Sequence, residues 1–588
     1  MKKIFTTALL ILLAPTFAFC AEKISDWSCE KLIEKANDKD FSLNVLAGLR
    51  AHKNCKNFKY DWKSLSDTDK KIYSDELMDI DPDYKLPLAE LSIKDLKQKL
   101  SAEKDPQEKF KIYKQIRQKY KNNGAKNDSK RIILQIHKWA ESIWKDKKND
   151  SSLAQIYIDA SIMLARMHWN NNEHKKATQL LDKITQQLPN ENLIELYFVK
   201  AKMAEEDKNF DQAVDSYNKC LETINLKKFK TTYIDPLRIS WSKAWLLYKQ
   251  EKWSEAEKAF IEHAGLGNDL TERSRADFFR AKSLVYQNKN EESQKVLEKI
   301  IENDFYSYYS LASFYILNKK FPAFTKLKPK EKFEFDESLK KIKSNYKNVF
   351  QDLIKYQEYE IAEKAIPFVG DNLNQQTNLA IYLAKNTQRY MPLFTYFARL
   401  PNEEKWDVLI EHKNLIFPIV HEDRVKQMSD KTELPMSLIY AIMKQESGFN
   451  PDSKSHANAL GLMQVIPRLA KSLAKKYKVN YRKEGDLLNP ETNIELGSFE
   501  LKDQVARQKG QLTFVAAAYN AGPGALSNWL KDKKPERDIF EFIEDIPYDE
   551  TRMYVKIIAR NKLFYDRILN PNDEIEFPKD FVQLNVSN

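Results

Sequence analysis

Residues 435–467 read PMSLIYAIMKQESGFNPDSKSHANALGLMQVIP, and the chain's chemistry is read outward from them. Leu438, Ile439, Ile442 and Met443 recur at helical spacing. Glu446 stands four residues after Ile442 and three after Met443, so the pattern aims a carboxylate along the apolar face. Pro435 suits a first helical turn and Gly448 the position just past the last one, so the spacing predicts a helix that stops almost as soon as Glu446 has been presented. The Asn450-Pro451 pair then requires an extended exit. A carboxyl at a helix end, backed by aliphatic side chains, loses hydration, and desolvation raises its pKa because it disfavours the ionised form. Such a group holds a proton near neutral pH and can act as a general acid. The plain alternative is a solvated glutamate at a fraying helix end.

Three further segments follow in order: Gly461-Leu462-Met463-Gln464, Ala518-Tyr519-Asn520-Ala521-Gly522-Pro523-Gly524, and Ile546-Pro547-Tyr548-Asp549-Glu550-Thr551-Arg552. With Gln445-Glu446-Ser447-Gly448-Phe449-Asn450-Pro451 they span about 110 residues. In order and spacing these four segments resemble the catalytic domain of the soluble lytic transglycosylases. The resemblance implies a C-terminal lysozyme-like α domain in which Glu446 is the acid. It implies that Ser447 orients that acid, that Ser455 and Gln464 line the sugar subsites, and that Tyr519 and Asn520 grip the acetamido group of muramic acid. Glu550 is expected deep in the groove, hydrogen-bonding substrate or neighbours. Read as residues alone, Ser455 and Gln464 fit equally well as buried side chains satisfying nearby backbone, and Tyr519 as ordinary core. Arg552 reads as a structural ion-pair partner.

The family's reaction cleaves the β-1,4 bond between N-acetylmuramic acid and N-acetylglucosamine without water and leaves a 1,6-anhydro end. Glu446 is expected to serve first as acid and then as base, the sugar's own C6 hydroxyl replacing the second carboxylate that most glycosidases use. Two other readings are a goose-type lysozyme, which hydrolyses, and a helical-repeat scaffold that binds glycan without cleaving it. Departures from the family pattern are Asn458 where relatives have Gly, Ile466 for Met and Leu469 for Thr. The first keeps a residue that tolerates a left-handed turn; the other two alter the groove wall near Gln464.

Outside this region the chain is poor in glycine. Seven of its 12 glycines (448, 461, 485, 497, 510, 522, 524) fall within 77 positions, so the rest reads as a helical array and this patch as turns and close backbone approach. Ala165, Ala201, Ala244 and Ala281 are each followed twelve positions later by a small residue, Ala177, Ala213, Ala256 and Ser293. Polar turns such as Asp207-Lys208-Asn209-Phe210 and Gln250-Glu251-Lys252-Trp253 lie between them. Small residues at helix crossings, with a period in the mid-thirties, mark helical-hairpin repeats of the tetratricopeptide type. The predicted fold is therefore all-α: a signal peptide over 1–20, an α-superhelical domain over 21–344, a helical linker domain over 345–417 and the lysozyme-like domain over 418–588. The tyrosine-rich stretch 305–312 resembles a late superhelix segment of the family and also fits an aromatic core stripe.

The start of the chain, with Lys2 and Lys3 before the apolar run 8–13, predicts a cleavable export signal, a periplasmic location and no membrane span. Phe19 disfavours lipid attachment at Cys20. Pairing of Cys29 with Cys55 is left open, and Cys220 is expected as a buried small hydrophobe. Net charge is +11 over 96 basic and 85 acidic residues, the solvated surface of many helices rather than a nucleic-acid stripe. The expected partners are peptidoglycan glycan strands and a protein docked on the superhelix, with the chain a monomer. No cofactor is expected and no metal: the eight histidines are scattered, without HExxH or CxxC. Gly522-Pro523-Gly524 lacks the companions of a phosphate loop and reads as a tight turn open to substrate.

Overall fold

The computed structural model describes residues 22–56, 58–80, 88, 91–225, 234–267, 269–330, 339, 346–455, 457–531 and 538–582. The predicted signal peptide and Cys20 lie outside them. Among the described residues the chain is helical, and the only β-type pairings are isolated bridges at Phe321–Ile575, Lys454–Leu460 and Leu460–Val465. No helix among them is long and apolar enough to cross a membrane.

Contacts divide the chain into two units, Lys85–Asn318 and a second in which the chain up to Tyr84 joins Lys319–Asn588. These divisions differ from the expected boundaries at 344 and 417, because the N-terminal segment packs on helices that follow residue 346. Trp27 and Phe41 meet Tyr356 edge-on, and Arg50 donates to both carboxylate oxygens of Glu358 at 2.6 and 2.9 Å. Cys29 and Cys55 are joined in a disulfide, which closes the hairpin of Cys29–Asn37 and Asn44–Asn54.

In the first unit successive helices form hairpins: Ser151–Asn170 with His174–Gln187, Ile194–Glu206 with Phe210–Asn225, Pro236–Lys249 with Trp253–Gly265, and Leu270–Tyr286 with Asn290–Asn303. Starts are capped where the sequence offers aspartate: Asp150, Asp235 and Asp269 each accept backbone N–H bonds from the first turn. All eight small residues of the repeat are buried, which lets the paired backbones approach. Each hairpin turn holds a left-handed residue seven positions after the first small one, Asn172, Lys208, Glu251 and Asn288, with φ between 59° and 62°. The next N–H reaches back five residues, as in Asn209 to Ala204 at 2.8 Å and Lys252 to Leu247 at 3.1 Å, the 6→1 bond that closes a helix end in the Schellman motif. Such a backbone costs a non-glycine residue about 1–2 kcal/mol, offset by the carbonyls it satisfies. Trp241, Trp245, Tyr248, Phe260 and Phe279 form a connected ring cluster. Tyr309 packs on Phe278 and Phe279, so the tyrosine-rich stretch, which opens the helix Tyr308–Ile316, contributes core.

In the second unit short helices cover 347–416. Pro367 lies inside Tyr359–Val369, Pro392 begins Met391–Arg399 and Pro401 caps Asn402–Glu411. Leu373–Thr387 ends at Gln388, whose φ is 59°, before Met391–Arg399 begins. The C-terminal helices are α1 (Glu422–Thr432), α2 (Met436–Glu446), α3 (Pro467–Tyr477), α4 (Pro490–Arg507), α5 (Leu512–Ala521), α6 (Pro523–Lys531), α7 (Ile539–Glu544) and α8 (Asp549–Leu569). α8 packs against both α2 and α5. It buries more than one stripe, since Thr551, Val555, Ala559 and Leu563 are enclosed along with Tyr554, Ile558, Phe564 and Tyr565.

Candidate active site

α2 begins one residue later than expected, with Pro435 outside it as the cap, and its last helical residue is Glu446. Leu438, Ile439, Ile442 and Met443 are buried. Gly448 takes φ 58°, and a Cβ there would sit 2.1 Å from Met391 Sδ, so a larger residue would be strained and would displace that methionine side chain. The Glu446 carboxyl is partly buried at the foot of the apolar face, and its Oε1 accepts the Tyr554 hydroxyl at 2.6 Å. Burial pushes this carboxyl up to about 7, the nearby Glu550 charge adds to the rise, and the Tyr554 hydrogen bond opposes it. The group is thus poised to give and retake a proton near neutral pH.

Ser447 is turned away from this carboxyl. Its hydroxyl donates to Leu462 O at 2.8 Å and accepts the Phe449 N–H, so it ties the end of α2 to the following loop. That loop, 453–466, folds on itself. Ser455 Oγ accepts Ala459 N–H at 3.0 Å, Asn458 takes the left-handed conformation with φ 60°, and Gln464 Nε2 donates to Ser453 O and Gly461 O. The Ser455 and Gln464 side chains thus satisfy loop backbone. Asn493 of α4, fully buried, clamps the loop: it accepts Met463 N–H and donates to Leu460 O and Leu487 O, each at 2.8 Å.

α5 adds Tyr519, whose hydroxyl donates to Met463 O at 2.9 Å, and Asn520, whose Oδ1 accepts the Thr551 hydroxyl at 2.6 Å. Gly522, at φ 83°, ends α5, and no atom lies within 4 Å of where a Cβ would stand at Gly522 or Gly524. Glu550 departs from expectation. It occupies the exposed first turn of α8 rather than a deep position, because α8 starts only one residue before it, yet its charge reaches Glu446. Arg552 donates to Glu544 O and Ile546 O and pairs with Asp549.

Three residues of the site escaped the sequence reading. Tyr554 lies one turn beyond Glu550 on α8 and so on the same face. Asn493 lies in the first turn of α4. Glu500 of α4 interrupts the apolar run around Leu496, Phe499 and Leu501, the available signal. Burial and the Glu446 charge push Glu500 up to about 8. Burial, with the Glu446 and Glu500 charges, holds the Tyr519 and Tyr554 hydroxyls well above the phenol range. The cluster is therefore two protonatable carboxyls and two phenol donors, without a cation. No cluster of metal-ligating side chains occurs among the described residues.

Residues 423–542 match the family described as the transglycosylase SLT domain. Over that stretch the chain is similar to an SLT domain. It is similar to the soluble lytic murein transglycosylase of Escherichia coli K12, 33% identical over 202 residues, which are 33% of this chain and 30% of the relative. The alignment therefore spans under a third of that relative's length. Residues 151–334 match the family Iml2/Tetratricopeptide repeat protein 39, in keeping with the hairpin array. In fold the likeness extends through nearly the whole chain. An inactive mutant of the lytic transglycosylase Slt from Pseudomonas aeruginosa superposes with TM-score 0.58 at 19% identity, covering 96% of this chain and 92% of the other. The 70 kDa soluble lytic transglycosylase of Escherichia coli does so with TM-score 0.58 at 17% identity over 93% and 90%. The SLT match takes in Glu446, Glu500, Tyr519 and Asn520, while Glu550 and Tyr554 lie just beyond its end.

Proposed function

We propose that the protein is a peptidoglycan lytic transglycosylase acting in the periplasm, cleaving between N-acetylmuramic acid and N-acetylglucosamine with Glu446 as acid and then base. The observation that carries this is the Glu446 carboxyl itself, desolvated at the end of α2, held by Tyr554 and pushed up to about 7. At neutral pH it supplies a proton to the glycosidic oxygen as the C1–O bond breaks. The acetamido carbonyl oxygen of muramic acid closes on C1 and carries the positive charge away. Asn520, with its carbonyl fixed by Thr551, has its amide free to orient that group. The C6 hydroxyl then attacks C1, the acetamido group departs, and the hydroxyl proton passes to the Glu446 carboxylate. The enzyme is restored and water is not consumed. Tyr554 hydrogen-bonds the carboxylate while it is charged, which eases the first transfer.

Glu500 and Glu550 differ in role from a glycosidase nucleophile. Glu500 is held in its acid form, and Glu550 is exposed. The Cys29–Cys55 disulfide supports an oxidising compartment, and the similar soluble lytic murein transglycosylases support murein as substrate. The test is digestion of purified sacculi in ¹⁸O-water. Muropeptides ending in 1,6-anhydro sugar and free of label are expected. Labelled reducing ends would indicate a hydrolase of the goose-lysozyme kind, and intact sacculi a glycan-binding scaffold.

A further inference from the structure

Glu500 lies one turn past Gly497 on α4, and Gly497 stands so close to Met463 that a Cβ would meet its side chain at 2.5 Å. Met463 is also the residue whose carbonyl takes the Tyr519 hydroxyl. The same face of α4 therefore carries Glu500 toward the Tyr519–Met463 bond, and its charge interacts with Glu446, Tyr519 and Tyr554 from three other helices. It keeps some accessible surface. No cation among the described residues answers it. Among the basic residues of the helices packed on α4, Arg424 is paired with Glu491 and Glu495, Lys431 with Glu495 and Lys476 with Asp503. Lys426, Arg468, Lys471 and Lys475 are exposed. The charges that do face Glu500, Glu446 and Asp503, are both negative, and α5 offers only the neutral Tyr519. A desolvated carboxyl with no cation persists as the neutral acid, and a neutral acid has an O–H to donate.

Resting on the transglycosylase reading of this site, we propose that Glu500 is its second working carboxyl: as the acid it donates a hydrogen bond to glycan held against Glu446, and loss of that proton halts turnover. Two carboxyls must then be protonated in the active form, one pushed up to about 7 and the other to about 8. The rate of anhydro-muropeptide release at sub-saturating sacculi should fall about tenfold per pH unit just above neutrality and about a hundredfold per unit beyond the second ionisation. Glu500→Gln keeps a donor that cannot ionise; it should be about fivefold slower at pH 6 and decline only about tenfold per unit throughout. Glu500→Ala should lose about tenfold to a hundredfold at pH 6. A second arm needs no turnover. The Glu446→Gln protein should bind purified glycan strands at least about tenfold more tightly than the Glu446→Gln/Glu500→Ala protein. Equal affinities, or superimposable pH profiles for wild type and Glu500→Gln, overturn the proposal. If Glu500→Ala does not fold by circular dichroism, the Glu500→Gln slope decides alone. Absence of anhydro products from wild type would instead strike the transglycosylase reading, and the binding arm would still judge Glu500.

Discussion

Glu446 is the residue where sequence and structure meet most closely. Its spacing from Ile442 and Met443 placed it on an apolar face, and the backbone delivers it there at the last turn of α2. Two consequences follow from its raised pKa. Glu446→Gln should abolish release of anhydro-muropeptides while the variant still sediments with sacculi. It should also stabilise the protein above neutrality. Between the ordinary carboxyl range and about 7 the folded state binds a proton that the unfolded state has released, so stability declines as pH rises through that window. Glutamine removes the decline, by on the order of 1–3 kcal/mol at pH 8 and little at pH 4, which denaturant melts at the two pH values would measure. Tyr554→Phe acts in the opposite direction from an added cation. Removing a hydrogen bond to the charged form moves the Glu446 carboxyl higher still, so the alkaline limb of activity should shift upward while the rate at pH 6 falls about tenfold. The tyrosine was hidden because its apolar ring satisfies the helical pattern by itself and its hydroxyl leaves no trace in periodicity.

At the scale of elements, the hairpin array was legible because small residues at a fixed spacing have one economical use, the crossing of two helices. The left-handed residues that turn each hairpin were not, since Lys208 and Glu251 carry no turn signature; the position imposes the conformation. The loop 453–466 was legible as a motif and opaque as a structure. Its Ser455 and Gln464 side chains hold backbone, and the residue that fixes the loop comes from α4. Asn493→Leu should therefore cost about 3 kcal/mol, since three bonds are lost and two buried carbonyls and the Met463 N–H are left bare, and activity should fall with it because Met463 anchors Tyr519. Denaturant titration beside an activity assay would check this, and Asn493→Asp should do no better because a carboxylate cannot donate to two carbonyls. Lys444 presents a related case. It is buried, its Nζ donating to Ile416 O at 2.5 Å beneath the Phe394 ring, and burial holds its pKa well below the usual lysine range.

At the scale of the whole molecule, the two units should respond to different insults. The Cys29–Cys55 bridge belongs to the unit that contains Glu446. Its replacement by serines should lower that unit's stability by about 2–4 kcal/mol, read from denaturant midpoints with and without reductant. Cys220 belongs to the other unit; it is buried, and burial pushes its thiol up to about 12. A thiol reagent should leave it untouched in the native protein and label it only as the array opens, which makes it an internal reporter of that unit alone. Such division was beyond the sequence reading because the contacts that decide it join residues some 300 positions apart, as in Arg50 with Glu358, and no local pattern records a partner so distant.

Because residues 22–80, besides packing on one another, find their partners in the rest of the fold after residue 319, the unit bearing Glu446 is discontinuous along the chain. A polypeptide emerging from a ribosome can stack its hairpins as they appear, whereas the first helices must wait, through more than two hundred intervening residues, for the helices around Tyr356 and Glu358 to arrive. Under the proposed function, catalytic competence would then be the final thing this molecule acquires, and an interrupted chain would lack it.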